Sequence, residues 1–309
     1  MATSQASVTR GTPAASPDPA RTLGVLGMGI IGSRVADACR RSGVRVAAWN
    51  RTRRPGLPLL ATPAEVAAAA HVLQVFVTDD AALASVIERL GPALTGEHVV
   101  VNSSTVSPEA TRAALSAVRG AGAAFLDAPF TGSRNAAAAG ELVYYVGGTA
   151  AVLRRVRWAL EPSAKAILPM GRVGDATIIK IATNLVSAVA VEALAEALGV
   201  IRAHGIPADR FLAAMEHNAN SSGLSRMKLP TMVNGTFDPH FSLKNMWKDA
   251  GFAERLAHAA GLEVPALSVV RTRMGSLVGR GRGEEDFAAL ADHYPVIRQP
   301  AERHRGGRR

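Results

Sequence analysis

From Arg21 onward, short apolar runs alternate with amphipathic stretches. TLGVLGM, VRVAAWN, HVLQVFVT, EHVVVNSS, AAFLDAP and ELVYYVGG read as strands. Between the earlier ones, IIGSRVADACRRSG, PAEVAAAA, DAALASVIERLG and SPEATRAALSAVRGAG place apolar residues at helical spacing. Strands alternating with helices of this length make βαβ units and a parallel sheet. A mixed arrangement is left open for the last strands. After Gly174 the strand patterns nearly stop. Helices are predicted over 175–203 and in PADRFLAAMEHN, SLKNMWKDAGFAERLAHAAG, PALSVVRTRMGSLVGRG and EEDFAALADHY. The pattern therefore predicts an α/β domain with a mostly parallel sheet over 21–173. An all-α domain follows over 174–297, opened by a long interdomain helix that starts near residue 175. No internal repeat is found.

The first strand ends in Gly27-Met28-Gly29-Ile30-Ile31-Gly32, and a helix opens there. GxGxxG in that context is a dinucleotide-binding signature and makes the first domain Rossmann-type. Gly27 allows the tight turn, Gly29 lets a pyrophosphate approach, and Gly32 lets the helix pack on the strand. The free N–H groups of the helix start then face the phosphates. At the end of the second strand, an NAD site usually carries an acid for the ribose hydroxyls. Here stand Asn50, Arg51 and Thr52, then Arg53 and Arg54. A carboxylate would repel a 2′-phosphate, whereas arginine binds it through charge-assisted hydrogen bonds. The predicted cofactor is NADP(H), preferred over NAD(H). The alternative for the arginines is a solvated basic loop, which suits Arg53 and Arg54 better than Arg51.

The helix beginning near 175 is apolar almost throughout, yet Lys180 sits in its first turns. Burying a lone cation is costly. Thr177, Asn184 and Ser187 share its face at helical spacing, so the helix carries a polar stripe. Two readings follow: a helix turned toward a polar pocket, or a lysine reaching out to solvent.

Composition adds bounds. With 48% hydrophobic residues the chain can bury a substantial core. No uninterrupted apolar run suggests a membrane span. The single cysteine, Cys39, excludes an intrachain disulfide and fits core packing in a reducing, cytoplasmic setting. The eight histidines show no ligand spacing, so no catalytic metal is expected. The net charge is +10, but RQPAERHRGGRR at the end supplies +4 of it with five Arg and one Glu. Aromatics are only 5%, too few for stacking platforms. A basic tail over 298–309 is favoured over a nucleic-acid arm. Residues 1–20 are rich in Ser, Thr, Pro and Ala, and read as a disordered leader. They lack the apolar segment of a secretory signal, while an organelle-transit role stays open.

Further segments repeat a known order: VNSSTVSPEAT, DAPFTGSRNAAAAGELVYYVGG, GRVGDATIIKIATN, HFSLKNMWKDAGFA and GRGEEDFAAL. With the glycine motif they resemble the β-hydroxyacid dehydrogenase family over roughly residues 21–294. The resemblance implies a substrate motif, Asp-Ala-Pro-Val-Ser-Gly-Gly in the family, at Asp127–Ser133. Thr131, Gly132 and Ser133 would then bind the substrate carboxylate. It implies Lys180 as the catalytic general acid/base, with Asn184 four residues on. Ser104, Thr105, Thr78, Asp79 and Lys248 would lie near the cofactor, and Phe241 over the substrate end. Ser133 and Arg134 resemble the glyoxylate and succinic semialdehyde reductases of the family. Thr183 departs from the frequent family Asn. Phe130, Asn218, Ser221 and Met246 are expected to set pocket size.

The implied activity is hydride transfer between nicotinamide and the carbonyl or hydroxyl of a small carboxylate, by a homodimer or homotetramer. Rival readings are an imine reductase, against which Lys180 argues, and 6-phosphogluconate dehydrogenase, against which Thr183 and the chain length argue. A non-enzymatic interaction protein that keeps the fold is the third.

Overall fold

The computed structural model describes residues 21–53 and 56–294. The leader, Arg54 and the basic tail lie outside the described residues. One eight-stranded sheet organises the first domain. Strands β1 (Thr22–Leu26), β2 (Arg45–Trp49), β3 (Val72–Val75), β4 (Val99–Asn102) and β5 (Ala124–Asp127) run parallel in the order β2-β1-β3-β4-β5. Helices α1 (Ile30–Arg41), α2 (Pro63–Ala69), α3 (Asp80–Leu90) and α4 (Pro108–Gly120) connect them. Successive strand residues point to opposite faces, and the two faces have separate cores. Val99 and Val101 pack with Val35 and Cys39 of α1. Val100 packs with Val66, Leu83 and Val118 of α2, α3 and α4.

The sheet then turns mixed. After the two-residue β6 (Phe130–Thr131) and α5 (Arg134–Ala139), β7 (Leu142–Gly147) pairs antiparallel with β5 and β6. Helix α6 (Ala150–Leu160) leads to β8 (Ala164–Gly171), parallel to β7. Segments β6, β8, α5 and α6 are absent from the elements read off the pattern. β8 is an edge strand with several exposed positions, so it has no clean alternation.

The second domain is built around α7 (Asp175–Ala203). Its buried positions Ile181, Asn184, Ala188, Val191, Ala195 and Leu198 recur every three or four residues, the spacing of one helix face. That face packs on α10 (Leu243–Ala259), α11 (Pro265–Leu277) and the turn Phe287–His293. Each fully buried Leu, Val or Phe there is worth about 1.5–3 kcal/mol. Helices α8 (Ala208–Glu216) and α9 (Gly223–Asn234) flank it. α9 was not predicted: Pro230 interrupts it and its apolar residues keep no single face. By length and hydropathy alone α7 could cross a bilayer, a test that the core helix of a soluble protein also passes.

A buried carboxylate ties the two domains together. Asp127, at the end of β5, accepts hydrogen bonds from Gly174 N (3.1 Å), Thr177 N (3.0 Å) and the Thr177 hydroxyl (2.8 Å). These close the start of α7 onto the sheet. Burial pushes the Asp127 carboxyl up to about 6, while its donors pull the other way. Thr177, on the Lys180 face by helical spacing, is therefore committed to Asp127 and to the Thr111 hydroxyl of α4, 3.1 Å away.

Candidate active site

The glycine motif forms a backbone cradle. Gly27 has φ +102, and a Cβ there would lie 1.9 Å from Phe76 O. At Gly32 a Cβ would lie 2.0 Å from Gly27 O, so only glycine lets α1 approach β1. A Cβ on Gly29 would meet nothing within 4 Å. Gly29 therefore borders open space at the start of α1, which has no side-chain cap and no acid in its first turn. Uncapped N–H groups facing open space fit a pyrophosphate. Met28 is buried in the core of the sheet, and Met28 N donates to Asn50 Oδ1 at 2.9 Å. Asn50 in turn donates to Thr52 O at 2.7 Å. The residue at the end of β2 thus holds the glycine loop and the Arg51–Thr52 turn together.

One cleft is lined by Gly27, Trp49, Asn50, Arg51, Thr52 and Thr78, and by Ala82, Ser85, Val86 and Arg89 of α3. The Arg89 guanidinium lies 4.9 Å from the centre of the Trp49 ring. Sequence reasoning missed this wall, although positions 82, 85, 86 and 89 form one helical face. Asp79 caps α3 by accepting from Ala82 N (2.8 Å) and from the Thr78 hydroxyl (2.9 Å). Burial would raise its carboxyl, but these donors, Lys248 and Arg51 hold it below the usual range.

A second cleft lies between the domains. Ile31, Gly32, Phe76, Val77, Thr78, Ser103, Ser104, Thr105 and Phe130 line it from the sheet domain. Phe241, Asn245, Lys248 and Asp249 line it from the helical one. The buried Ser104 hydroxyl accepts from Val77 N (2.9 Å) and so fixes the loop after β3. Asn245 was not anticipated, yet it stands three residues before Lys248 on the same face of α10. Phe241 meets Phe287 edge-on at 6.1 Å.

From the cleft residues Lys248 and Asp249, a continuous chain of side chains runs back to Asn184 and Lys180, which stand behind the lining. Lys180 Nζ donates to Asn184 Oδ1 (2.9 Å), and Asn184 Nδ2 donates to Asp249 Oδ2 (2.6 Å). Asp249 Oδ1 pairs with Lys248 Nζ at 2.9 Å. Lys248 Nζ reaches across the domain boundary to Thr105 O at 2.5 Å. Burial lowers the Lys180 ammonium to about 8; Asp249 opposes that shift and Lys248 adds to it. Burial raises the Asp249 carboxyl despite both lysines and Asn184. Ser187, the remaining stripe position, donates to Thr183 O on its own helix.

The basic stripe Lys244, Lys248 and Arg255 of α10 divides. Lys248 turns to Thr105, Lys244 pairs with exposed Glu284, and Arg255 stacks on Phe252. In the 131–133 turn, Gly132 has φ +130, and a Cβ there would lie 2.8 Å from Leu142 Cδ2. The Ser133 hydroxyl accepts from Asn135 N and Ala136 N, capping α5. Thr131 pairs with Val143 in the sheet, next to the cleft residue Phe130. Met246, expected to set pocket size, is instead 2% exposed in the helical core, and Asn218 faces solvent.

These features define a nucleotide-cofactor oxidoreductase. The family model for the NAD-binding domain of 6-phosphogluconate dehydrogenase matches residues 22–171. That for the NAD-binding domain of NADP-dependent 3-hydroxyisobutyrate dehydrogenase matches 174–294. The chain belongs to the β-hydroxyacid dehydrogenase family. It is 25% identical to glyoxylate/succinic semialdehyde reductase 1 of Arabidopsis thaliana, over 90% of this chain and 99% of that one. It is 27% identical to 2-hydroxy-3-oxopropionate reductase of Escherichia coli (strain K12), over 89% and 97%. The crystal structure of 3-hydroxyisobutyrate dehydrogenase from Salmonella typhimurium superposes with a TM-score of 0.80 at 25% identity, covering 88% and 99%.

Proposed function

We propose that this protein is an NADP(H)-dependent reductase of small carboxylates bearing an aldehyde or ketone, of the glyoxylate, semialdehyde or β-hydroxyacid type. The observation that carries the reading is the chain Lys180–Asn184–Asp249–Lys248 running back from a cleft that the glycine cradle adjoins. When bound, the cofactor supplies or accepts hydride at nicotinamide C4. As negative charge grows on the substrate oxygen, Lys180 donates a proton to it; in alcohol oxidation Lys180 accepts one. Asp249 accepts from Asn184 Nδ2, which turns Asn184 Oδ1 toward the ammonium. Burial, opposed by Asp249 and reinforced by Lys248, lowers Lys180 to about 8, where both protonation states are accessible at neutral pH.

The substrate carboxylate is assigned to the Thr131–Ser133 turn, and Phe241 to the substrate end. Ser104, Thr105, Thr78 and Lys248 border the nicotinamide side. NADP(H) over NAD(H) is supported by Arg51 in the first cleft and by Asn50, which brings no carboxylate to repel a 2′-phosphate. A homodimer or homotetramer is supported by exposed Ile178, Val186 and Val200 on α7.

The test is oxidation of NADPH and NADH by the purified protein and its Lys180→Ala variant, with glyoxylate, succinic semialdehyde and a cyclic imine. NADPH-driven carbonyl reduction that collapses in the variant is expected. Unchanged carbonyl reduction in the variant would sink the mechanism. Imine turnover without carbonyl turnover would make the protein an imine reductase. Cofactor binding with no turnover of any substrate would favour an interaction protein.

A further inference from the structure

Away from the lysine chain, the helical domain buries a second ion pair. Lys228 of α9 is 2% exposed and Asp286 is fully buried. Lys228 Nζ reaches both carboxylate oxygens, at 2.6 and 2.7 Å, and lies 4.4 Å from the centre of the Phe287 ring. The same carboxylate accepts from three backbone groups: His240 N (2.9 Å), Phe241 N (3.1 Å) and Ala288 N (2.9 Å). Around it, Asp286 N donates to Phe237 O, Phe287 N to Phe241 O, and Leu243 N to Glu285 O. The segment 237–243 is thus laced to 285–287, and it delivers the first turn of α10 to the cleft.

We propose that Lys228 and Asp286 are positioning residues that fix Phe241 and Asn245 at the substrate end of the interdomain cleft. The proposal rests on reading that cleft as the substrate site. A buried ion pair adds little net stability compared with apolar residues of similar volume. Its distinctive contribution here is an acceptor shared by two successive N–H groups, at the residue whose ring lines the cleft. Lys228 supplies the opposite charge against both oxygens of that buried acceptor.

The test compares two neutral pairs. Lys228→Met with Asp286→Leu removes both the charges and the acceptor; Lys228→Met with Asp286→Asn keeps an acceptor oxygen. With whichever carbonyl substrate the wild type reduces, the Leu pair is expected to raise KM about tenfold (~1.4 kcal/mol). Its kcat should stay within about threefold, its Kd for NADPH should not change, and the Asn pair should recover most of the KM. A folded Leu pair with wild-type KM overturns the proposal. Amide hydrogen exchange provides a readout independent of turnover, needed if the Leu pair does not fold or if the wild type reduces neither acid. Protected His240 and Phe241 amides in the wild type, exchanging at least tenfold faster in the Leu pair and by a smaller factor in the Asn pair, whose neutral oxygen is the weaker acceptor, support the positioning role. Amides unprotected in the wild type, or as protected as the wild type in the Leu pair (in the Asn pair, where the Leu pair does not fold), contradict it.

Discussion

The two clefts are made of different material. The glycine cleft is largely backbone: Gly27 and Gly32 permit close approach, Gly29 leaves space, and α1 offers uncapped N–H groups. The interdomain cleft depends on side chains brought together from α7 and α10 and anchored on the Thr105 carbonyl of the loop after β4. Where a Cβ has room, a backbone site keeps its fold and loses only the space for its ligand; where it has none, the fold itself suffers. Side-chain sites fail at the member that moves the proton. The two should therefore break in different ways.

The largest effect is expected at Lys180. A Lys180→Met variant should lose roughly 10²–10⁴-fold in kcat for reduction, the usual contribution of a general acid. Its Kd for NADPH, followed by cofactor fluorescence, should stay within about threefold. In the other cleft, Gly27→Ala must fit a Cβ against Phe76 O at a positive φ. It should cost about 2–4 kcal/mol in urea unfolding. Gly29→Ala has room and an ordinary φ of −73. It should leave stability within about 0.5 kcal/mol while weakening NADPH binding tenfold or more. Equal effects of the two alanines on stability would contradict the cradle.

Arg51→Ala should cut the preference for NADPH over NADH by about 10- to 100-fold, the worth of one or two charge-assisted hydrogen bonds. Binding constants for both cofactors measure this. The smallest effect is expected at Ser133. Its hydroxyl caps α5, which leaves the backbone N–H groups of the turn for the proposed substrate carboxylate, so Ser133→Ala should cost about 1 kcal/mol or less with no change in KM. A KM increase would return the hydroxyl to the substrate.

The same difference explains what was legible in the sequence. The glycine motif is local: three positions, each with a steric reason, together with the strand and helix around them. Lys180 and Asn184 are also local, one helical turn apart. Asp127 was legible as a motif member, but not as the residue that holds the start of α7, because its partners lie 47 and 50 residues on. The hydroxyl of Thr177 looked available to Lys180 by spacing, and only the packing of α7 on β5 shows where it goes. Lys248 shares α10 with Lys244 and Arg255, and only tertiary packing shows that it alone of the three turns to Thr105. The pair Lys228–Asp286 spans 58 residues and joins a helix the pattern did not predict to a turn without regular period. Contacts of that kind depend on tertiary packing and leave no periodic trace.

The central claim is that Lys180, lowered by burial, moves the proton. The direct measurement is the pH dependence of NADPH-driven reduction and of the reverse oxidation, from pH 6 to 10, in the wild type and in Lys180→Arg. Reduction needs the protonated amine. Its rate should be level below about 8, the value to which burial lowers Lys180, and should fall about tenfold per pH unit above it. Oxidation needs the free amine and should rise toward a plateau across the same value. The arginine variant, which cannot lose its proton in this range, should lack that inflection in both directions. An inflection near 8 that persists in the arginine variant, or a wild-type profile flat across the range, would contradict the account.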